Sequence, residues 1–419
     1  MKILKLSPYY FPEQISSSHL TEDLENAYIN AGFDIVIHVP TPTRGVSQET
    51  FEKYKQIKNE KLHDGHITVH RFRMFREGRN PIQRVVRYIF VNFIQYLKAD
   101  KEKEVDIIVA GSTPPTQGLL CSLVKRKLNK KFKRPISFVF VLQDVFPDSL
   151  VQAGMSRKGS LIWKIGRKIE NYTYTNADVI IVISEDIKRN IMKKGVPESK
   201  IEVVRNWIDT HKVHPVSNED NSLRTELGLK DDAFYVVYAG NLGKAQGVNI
   251  LVEAAEILRG DSSIKFLIFG NGAEEEIIRK KIHELRLDNV RLFPLQPPSR
   301  ISEVYSLGDV CIVTCKKGNG QNAFPSKTVS IMSTGTPIIA AFDKESELCS
   351  IVEKENIGLY VEPENPFELV NAIKILHSNR DDAKENGLRG RQFVEQRFSK
   401  EICTSKYIEI IQNLVSTVK

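Results

Sequence analysis

Phe234-Tyr-Val-Val-Tyr-Ala-Gly-Asn-Leu-Gly-Lys-Ala-Gln-Gly247 decides the architecture. Its first six residues form the aromatic and β-branched run of a buried strand. Gly240, Gly243 and Gly247 then let the backbone approach a ligand closely, and Lys244 supplies a cation there. A helical pattern begins at 248. Strand, glycine turn and helix N-terminus in that order suit a phosphate group. An ordinary βα turn satisfies the same pattern, so the surrounding chain has to separate the two.

Outward from this stretch the alternation continues. Strands are expected at 265–269, 290–293, 310–314, 337–341 and 358–361, with helices at 248–259, 273–285, 301–307, 326–334, 366–378 and 381–398. Upstream lies His214-Pro-Val-Ser-Asn-Glu-Asp220, polar and turn-rich, which is expected to be a linker. Before it, strands at 2–6, 34–39, 67–71, 107–110, 137–142, 179–183 and 201–204 alternate with helices at 19–31, 81–98, 116–129 and 160–175. The pattern predicts an α/β protein with two doubly wound, Rossmann-like domains, residues 1–210 and 211–399, and ligands at the strand C-termini. A chain of 419 residues is long enough for two cores. The last helix, 400–415, has no second-domain strand to serve. It is expected to cross back, so residues 400–419 are assigned to the first domain.

Apolar residues make up 41% and charged residues 27%, a globular balance. No run approaches the roughly 20 apolar residues of a membrane span. Met1-Lys-Ile-Leu-Lys-Leu6 reaches Pro8 too soon for a signal peptide and reads as a first strand, so a cytoplasmic protein is expected. The five cysteines (121, 311, 315, 349 and 403) are odd in number and mostly sit in apolar runs, as reduced, buried thiols do. Charge is uneven. Residues 1–210 hold 34 Lys and Arg against 23 Asp and Glu; residues 211–419 hold 26 against 29. Arg71, Arg73, Arg76, Arg79, Arg84 and Arg87 surround one acid, Glu77, beside the apolar run 85–97. A second basic cluster spans 125–134. Such patches fit nucleic acid or an anionic membrane.

Four further stretches bear chemistry. Gly270-Asn-Gly272 follows a strand but lacks the third glycine of a dinucleotide fingerprint, since Glu275 stands there. The glycine-rich loop from Gly318 runs into a helix expected to start near Pro325, where Ser326 and Lys327 would bind an anion. Asp144 follows the apolar strand 137–142, at the end where open sheets place their sites. His63, His66 and His70 are spread over a turn and a strand and read as surface histidines, not metal ligands. The chain has no Asp-x-Asp pair to hold a divalent ion on a diphosphate. Neither a metal nor a cofactor is expected, and the positive charge has to come from Lys, Arg and helix N-termini.

Taken together, Tyr9-Tyr-Phe-Pro-Glu13, Gln143-Asp-Val-Phe-Pro-Asp148, Val204-Arg-Asn-Trp-Ile-Asp209, Tyr238-Ala-Gly-Asn-Leu-Gly-Lys-Ala-Gln-Gly247, Gly270-Asn-Gly272 and Pro325-Ser-Lys327 with Gly335-Thr-Pro337 resemble glycosyltransferase family 4. Within it, the chain is similar to the bacterial capsule and O-antigen branch, and to its N-acetyl-L-fucosamine transferase subgroup. The resemblance implies a GT-B fold, its two domains facing across a cleft. It also implies a retaining, metal-independent, hexosyltransferase-type reaction from a nucleotide sugar, UDP-linked in expectation, to a polyprenyl-diphosphate-linked saccharide. Residue by residue, Lys244 and Lys327 would meet the diphosphate and Asp144 would lie near the reacting sugar. Gly240, Asn241, Gly243, Gly270, Gly272, Pro325 and Ser326 would line the donor site. Asn206 belongs to the third motif. Glu13, Ser16 and Ser17 match a loop closing over the donor. Asn322 and Ser330 stand where many members carry a pair of acids; amide and hydroxyl still hydrogen-bond sugar hydroxyls.

Two other classes fit the pattern less well. A sugar-nucleotide epimerase on the same scaffold would leave the basic first domain without a role. A nucleic-acid-binding module is disfavoured because Phe72, Phe75, Tyr88, Phe90 and Phe93 fall at helical spacing with Ile and Val, as core or membrane contacts do. Residues 71–97 are therefore expected to meet an anionic membrane, placing the protein peripherally on the inner face of the plasma membrane. A core helix with a solvated basic face is the competing expectation.

Overall fold

The computed structural model describes residues 1–13, 18–78, 80–152, 155–320 and 324–416. They form two compact units: residues 1–205 with 404–419, and residues 206–403.

In the first unit, eight strands, β1 (Lys2–Leu6), β2 (Asp34–Pro40), β3 (Asn59–Leu62), β4 (Ile67–Phe72), β5 (Ile107–Gly111), β6 (Ser137–Leu142), β7 (Val179–Val182) and β8 (Ile201–Val203), make one sheet. Their order is β3-β4-β2-β1-β5-β6-β7-β8, parallel except where β3 runs against β4. The polar Asn-Glu-Lys-Leu of β3 gives no strand signal in sequence; it forms because β4 offers a free edge. Helices cover both faces of the parallel part, so the strands read as continuous apolar runs. All six residues of β6 are buried. The last helix, Lys400–Ser416, begins in the second unit and belongs to the first from Thr404 onward. Tyr407 and Ile411 bury its inner stripe, and Lys406 Nζ donates to the Val203 carbonyl at 3.0 Å.

The second unit holds β9 (Phe234–Asn241), β10 (Ile264–Asn271), β11 (Val290–Phe293), β12 (Val310–Thr314), β13 (Ile338–Ala341) and β14 (Gly358–Val361). Their order, β11-β10-β9-β12-β13-β14, is that of a dinucleotide-binding fold, with the reversal between β9 and β12. Along β9 the side chains alternate between two cores. Phe234, Val236 and Tyr238 enter one, while Tyr235, Val237 and Ala239 enter the other. Residues 214–216 lie against helix Ile301–Ser306, with the His214 and Val216 amides donating to Ser302 and Ser306 hydroxyls at 3.3 and 3.1 Å.

Candidate functional site

The reversal point of the second unit is built by close backbone contacts. β9 ends at Gly240 and Asn241, and its turn leads through a short 3-10 segment, Lys244–Gln246, to helix Asn249–Ile257. The amide of Lys316, just past β12, donates to the Ala245 carbonyl at 2.9 Å, tying the two loops together. On the other side, the Leu242 amide donates to Asn271 O and the Glu274 amide to Leu242 O, each at 2.8 Å. Gly270 and Gly272 permit that contact. A Cβ on Gly270 would sit 2.3 Å from the Gly240 carbonyl, and one on Gly272 2.6 Å from Leu242 backbone atoms. Those two glycines therefore pack turn on turn. Lys244 is exposed at the tip of its turn and makes no ion pair among the described residues.

Opposite this turn, helix Ser326–Ser333 starts where the sequence pattern placed it, with Pro325 as an N-cap that makes no side-chain hydrogen bond. Lys327 reaches from that turn to the end of β9. The residue is partly exposed, but Nζ is sealed from solvent and has no hydrogen-bonding partner among the described residues. The ammonium lies 3.8 Å from the Tyr238 ring centroid and would lie 2.8 Å from a Cβ on Gly240, whose φ is +148°. Burial pushes its pKa down to about 7. The hydroxyls of Thr314, at the end of β12, and Thr328, beside Lys327, are also buried without a partner among the described residues. Sequence spacing gave no hint of either threonine. A sealed cation with no anion, next to a glycine with no side chain and a helix N-terminus, is an electrostatic demand for a bound anion. Ser326 is exposed at the helix start; Ser330 is buried one turn on. Asn322, Ser16 and Ser17 lie outside the described residues.

In the first unit, Glu13 is buried and its carboxylate accepts the amides of Thr43 (2.7 Å), Arg44 (2.8 Å) and Tyr10 (3.3 Å). Burial raises its pKa against those three hydrogen bonds. The residue thus fixes the segment after β2. Asp144 follows β6, its amide donating to Ser112 Oγ at 3.3 Å. Partial desolvation raises its pKa, against hydrogen bonds from Ser149 and the Val145 amide. Asn206 is half-buried at the first residue of the second unit. The three histidines separate. His66 pairs with Asp34, while His70 joins His38 and Glu102, whose ligand atoms lie within 4.8 Å of one another. His38 Nε2 donates to Glu102 at 2.7 Å and His70 Nδ1 to Asn59 Oδ1 at 2.7 Å.

Two family profiles match this chain in order, one on each half. Residues 18–212 match "Glycosyltransferase Family 4" and residues 219–393 match "Glycosyl transferases group 1". The chain belongs to these glycosyltransferases. Its two Rossmann-like units are those of the GT-B fold. WbjE of Pseudomonas aeruginosa, named as a glycosyltransferase, is 25% identical over 83% of this chain and 85% of its own. WcaI of Escherichia coli, named for glycosyl transfer in colanic acid biosynthesis, is 27% identical over 65% of this chain and 67% of its own. In fold, the glycosyltransferase is similar to Anabaena Alr3699/HepE in complex with UDP, with a TM-score of 0.73 and 17% identity over 99% of this chain and 100% of that one.

The basic region of the glycosyltransferase differs from the expected surface patch. Arg71 and Arg87 are not surface cations. Arg71 is buried, donating to Glu60 at 2.9 Å and to the Phe11 carbonyl at 2.7 Å. Arg87 is fully buried near Glu77, 3.8 Å away. Arg84 is exposed and pairs with Glu77; Arg79 lies outside the described residues. Helix Pro81–Ala99 is inverted relative to an ordinary surface helix. Arg87, Val91 and Gln95 face inward, while Ile82, Val85, Ile89, Phe90, Phe93 and Leu97 are exposed, Ile82 by 73%. Gln95 Nε2 explains the inward face, donating to the carbonyls of Ser7 and His38 at 2.8 and 2.9 Å. Beside the helix is a hollow of about 380 Å³, lined by Phe51, Phe75, Phe90 and Ile94 with Lys55 and Arg73. The competing expectation of a core helix with a solvated basic face fails, because the exposed face is apolar. Among the described residues, no helix is long and apolar enough to cross a membrane.

Proposed function

We propose that the second unit binds the diphosphate of a nucleotide sugar at Lys327 and that the enzyme transfers the sugar with retained configuration, without a metal ion. The observation that carries this is the sealed Lys327 Nζ, without a hydrogen-bonding partner among the described residues, between Gly240 and the start of helix Ser326–Ser333. In the reaction, the bond between the sugar's anomeric carbon and the diphosphate oxygen breaks and one to the acceptor oxygen forms. The acceptor proton leaves with the diphosphate. Lys327, Lys244 and the helix N-terminus meet the charge that develops on the leaving group. The UDP and UDP-glucose complexes of HepE support a uridine donor. Asp144 would face the acceptor.

The name of WcaI, which assigns it to colanic acid biosynthesis, supports a place in polysaccharide assembly. An N-acetylated deoxyhexosamine such as N-acetyl-L-fucosamine fits the subgroup motifs as the transferred sugar. The exposed apolar face of helix Pro81–Ala99 supports a polyprenyl-diphosphate-linked saccharide as acceptor and a peripheral position on the inner face of the plasma membrane. Lys55 and Arg73, beside the apolar hollow, would take the acceptor's diphosphate. The test is calorimetry with UDP, GDP and TDP, with and without EDTA, on the wild type and Lys327→Met. UDP binding that survives EDTA and is lost in the variant is expected. Equal binding by the variant would overturn the assignment.

A further inference from the structure

A second helix of the first unit shares the unusual surface of helix Pro81–Ala99. The chain carries no acid between Asp148 and Glu170, but it carries Arg157, Lys158, Lys164, Arg167 and Lys168. Met155, Leu161, Ile162 and Ile165 are exposed there, Leu161 by 74%. Arg157, Lys158, Lys164 and Lys168 are exposed as well, and none of the four makes an ion pair among the described residues. Surface helices ordinarily mix both signs of charge and bury their apolar stripe. Here the first turn of helix Leu161–Asn176 does neither.

Helix Gln117–Phe132 lies between the two helices and fixes their relation. Asn92 Nδ2 donates to Thr116 Oγ1 at 2.8 Å on one side. On the other, a Cβ on Gly118 would sit 2.2 Å from the Thr173 side chain, and Arg126 reaches Tyr172 at 3.3 Å. All three helices follow parallel strands and run back along the sheet, so their N-termini share one end. Residues 82–90 precede Asn92 and residues 161–165 precede Thr173. At 1.5 Å per residue, Ile82 and Leu161, the first residues of the two apolar segments, each lie about 15 Å past the start of the middle helix. Gly166 holds the second helix there, since it packs on Phe146 and Pro147 so closely that a Cβ would lie 2.8 Å from Pro147. That contact ties its first turn to the segment that carries Asp144.

We propose that the N-terminal turns of helices Pro81–Ala99 and Leu161–Asn176 form a two-point contact with an anionic membrane, the second point made by Met155, Leu161, Ile162 and Ile165 with the cations around them. This rests on the membrane reading of helix Pro81–Ala99 and adds the second point and an orientation. The charge selects the occupant. A second copy of the same face would oppose cation to cation, whereas anionic headgroups neutralise the lysines while acyl chains take the Leu and Ile side chains. Two contacts separated by a helix restrain tilt, which one contact does not. The acceptor end of the unit, with Asp144, would then face the bilayer.

Sedimentation of the full-length protein with vesicles of phosphatidylglycerol and phosphatidylethanolamine (about 3:7) tests this, with phosphatidylcholine vesicles as the neutral control. The first-point variant is Ile82→Asp with Val85→Asp, both exposed in the first turns of the helix. The second-point variants are Leu161→Ser with Ile165→Ser, and Lys164→Glu with Lys168→Glu. All change exposed residues, and thermal midpoints check folding. Each second-point variant is expected to weaken anionic-vesicle binding about tenfold or more, at about fivefold per cation. Trp163, half-buried on the same helix, is expected to shift to the blue and to be quenched by brominated lipid. Wild-type binding lost only in the first-point variant, with Trp163 unquenched, would overturn the second point and leave the first. A wild type that fails to bind anionic vesicles would overturn both. Sedimentation abolished by competing RNA, without Trp163 quenching, would assign the cations to a soluble polyanion and overturn the proposal.

Discussion

Arg87 in the first unit and Lys327 in the second are both cations sealed from solvent, and the two are held differently. Arg87 in the first unit has an internal anion. Its Nε donates to the Phe75 carbonyl at 3.3 Å, and Glu77 beside it accepts from Tyr9 at 2.7 Å and pairs with Arg84 at 3.0 Å. Lys327 in the second unit faces an aromatic ring and a glycine, and among the described residues it pairs with no anion. A buried charge is costly unless compensated. Arg87 has Glu77 to offset its charge from within, although its two terminal nitrogens make no hydrogen bond among the described residues, and so belongs to the structure. Lys327 is compensated only when something binds, and its cost is the affinity held ready for a ligand.

The contrast can be broken most directly at Arg87. Arg87→Met leaves Glu77 with less compensation in an apolar site and should cost about 3–5 kcal/mol, read as a lowered urea midpoint, with UDP binding intact in the folded fraction. A stability unchanged by this substitution would mean that Arg87 and Lys327 are alike. Lys327→Met should do the opposite. An apolar side chain of similar length replaces an uncompensated charge, so the urea midpoint should hold or rise. Sugar transfer should fall about 10²–10³-fold, measured as product per enzyme at saturating acceptor.

Gly240→Ala sharpens the geometry. Its φ of +148° and the 2.8 Å approach to Lys327 Nζ make any Cβ strained, so about 1–3 kcal/mol should be lost, divided between the thermal midpoint and UDP affinity. Gly260→Ala, in open space with no left-handed φ, is the control.

The smallest effect is on pH. Lys327 titrates near pH 7 when no ligand is bound, and a diphosphate favours the protonated amine. UDP affinity should therefore weaken as pH rises above 7, by about tenfold per unit at most, with proton uptake seen by calorimetry in buffers of different ionisation enthalpy. The unfolded lysine keeps its proton to about pH 10.4, so between 7 and that value the unfolded chain binds more protons. This group then makes stability rise with pH in that window. Lys327→Met should remove both slopes.

The alternation of apolar runs and helical stretches was enough to place two doubly wound units, because a strand covered on both faces has to be apolar throughout. β6 and β9 are the plain cases. The polar edge strand β3 was not legible, since it owes its form to the neighbour it pairs with. The glycines of the donor region were legible as glycines but not by role. Gly240 clears space beside Lys327, while Gly270 and Gly272 clear space for Leu242. Arg71 and Arg87 count as basic residues in any tally of charge, yet both are internal.

Sequence by itself therefore determined the class of fold, the order of the elements and the presence of Lys327 at a helix start, all of which depend on local periodicity and short motifs. Tertiary structure alone decided which cations are sealed and which are free. It also decided that helix Pro81–Ala99 turns its apolar face outward, and that helix Leu161–Asn176 presents a second such face at the same end of the sheet. Periodicity reports that a helix has two faces. Only the carbonyls of Ser7 and His38, brought to Gln95 from strands far away in the chain, settle which face is inside.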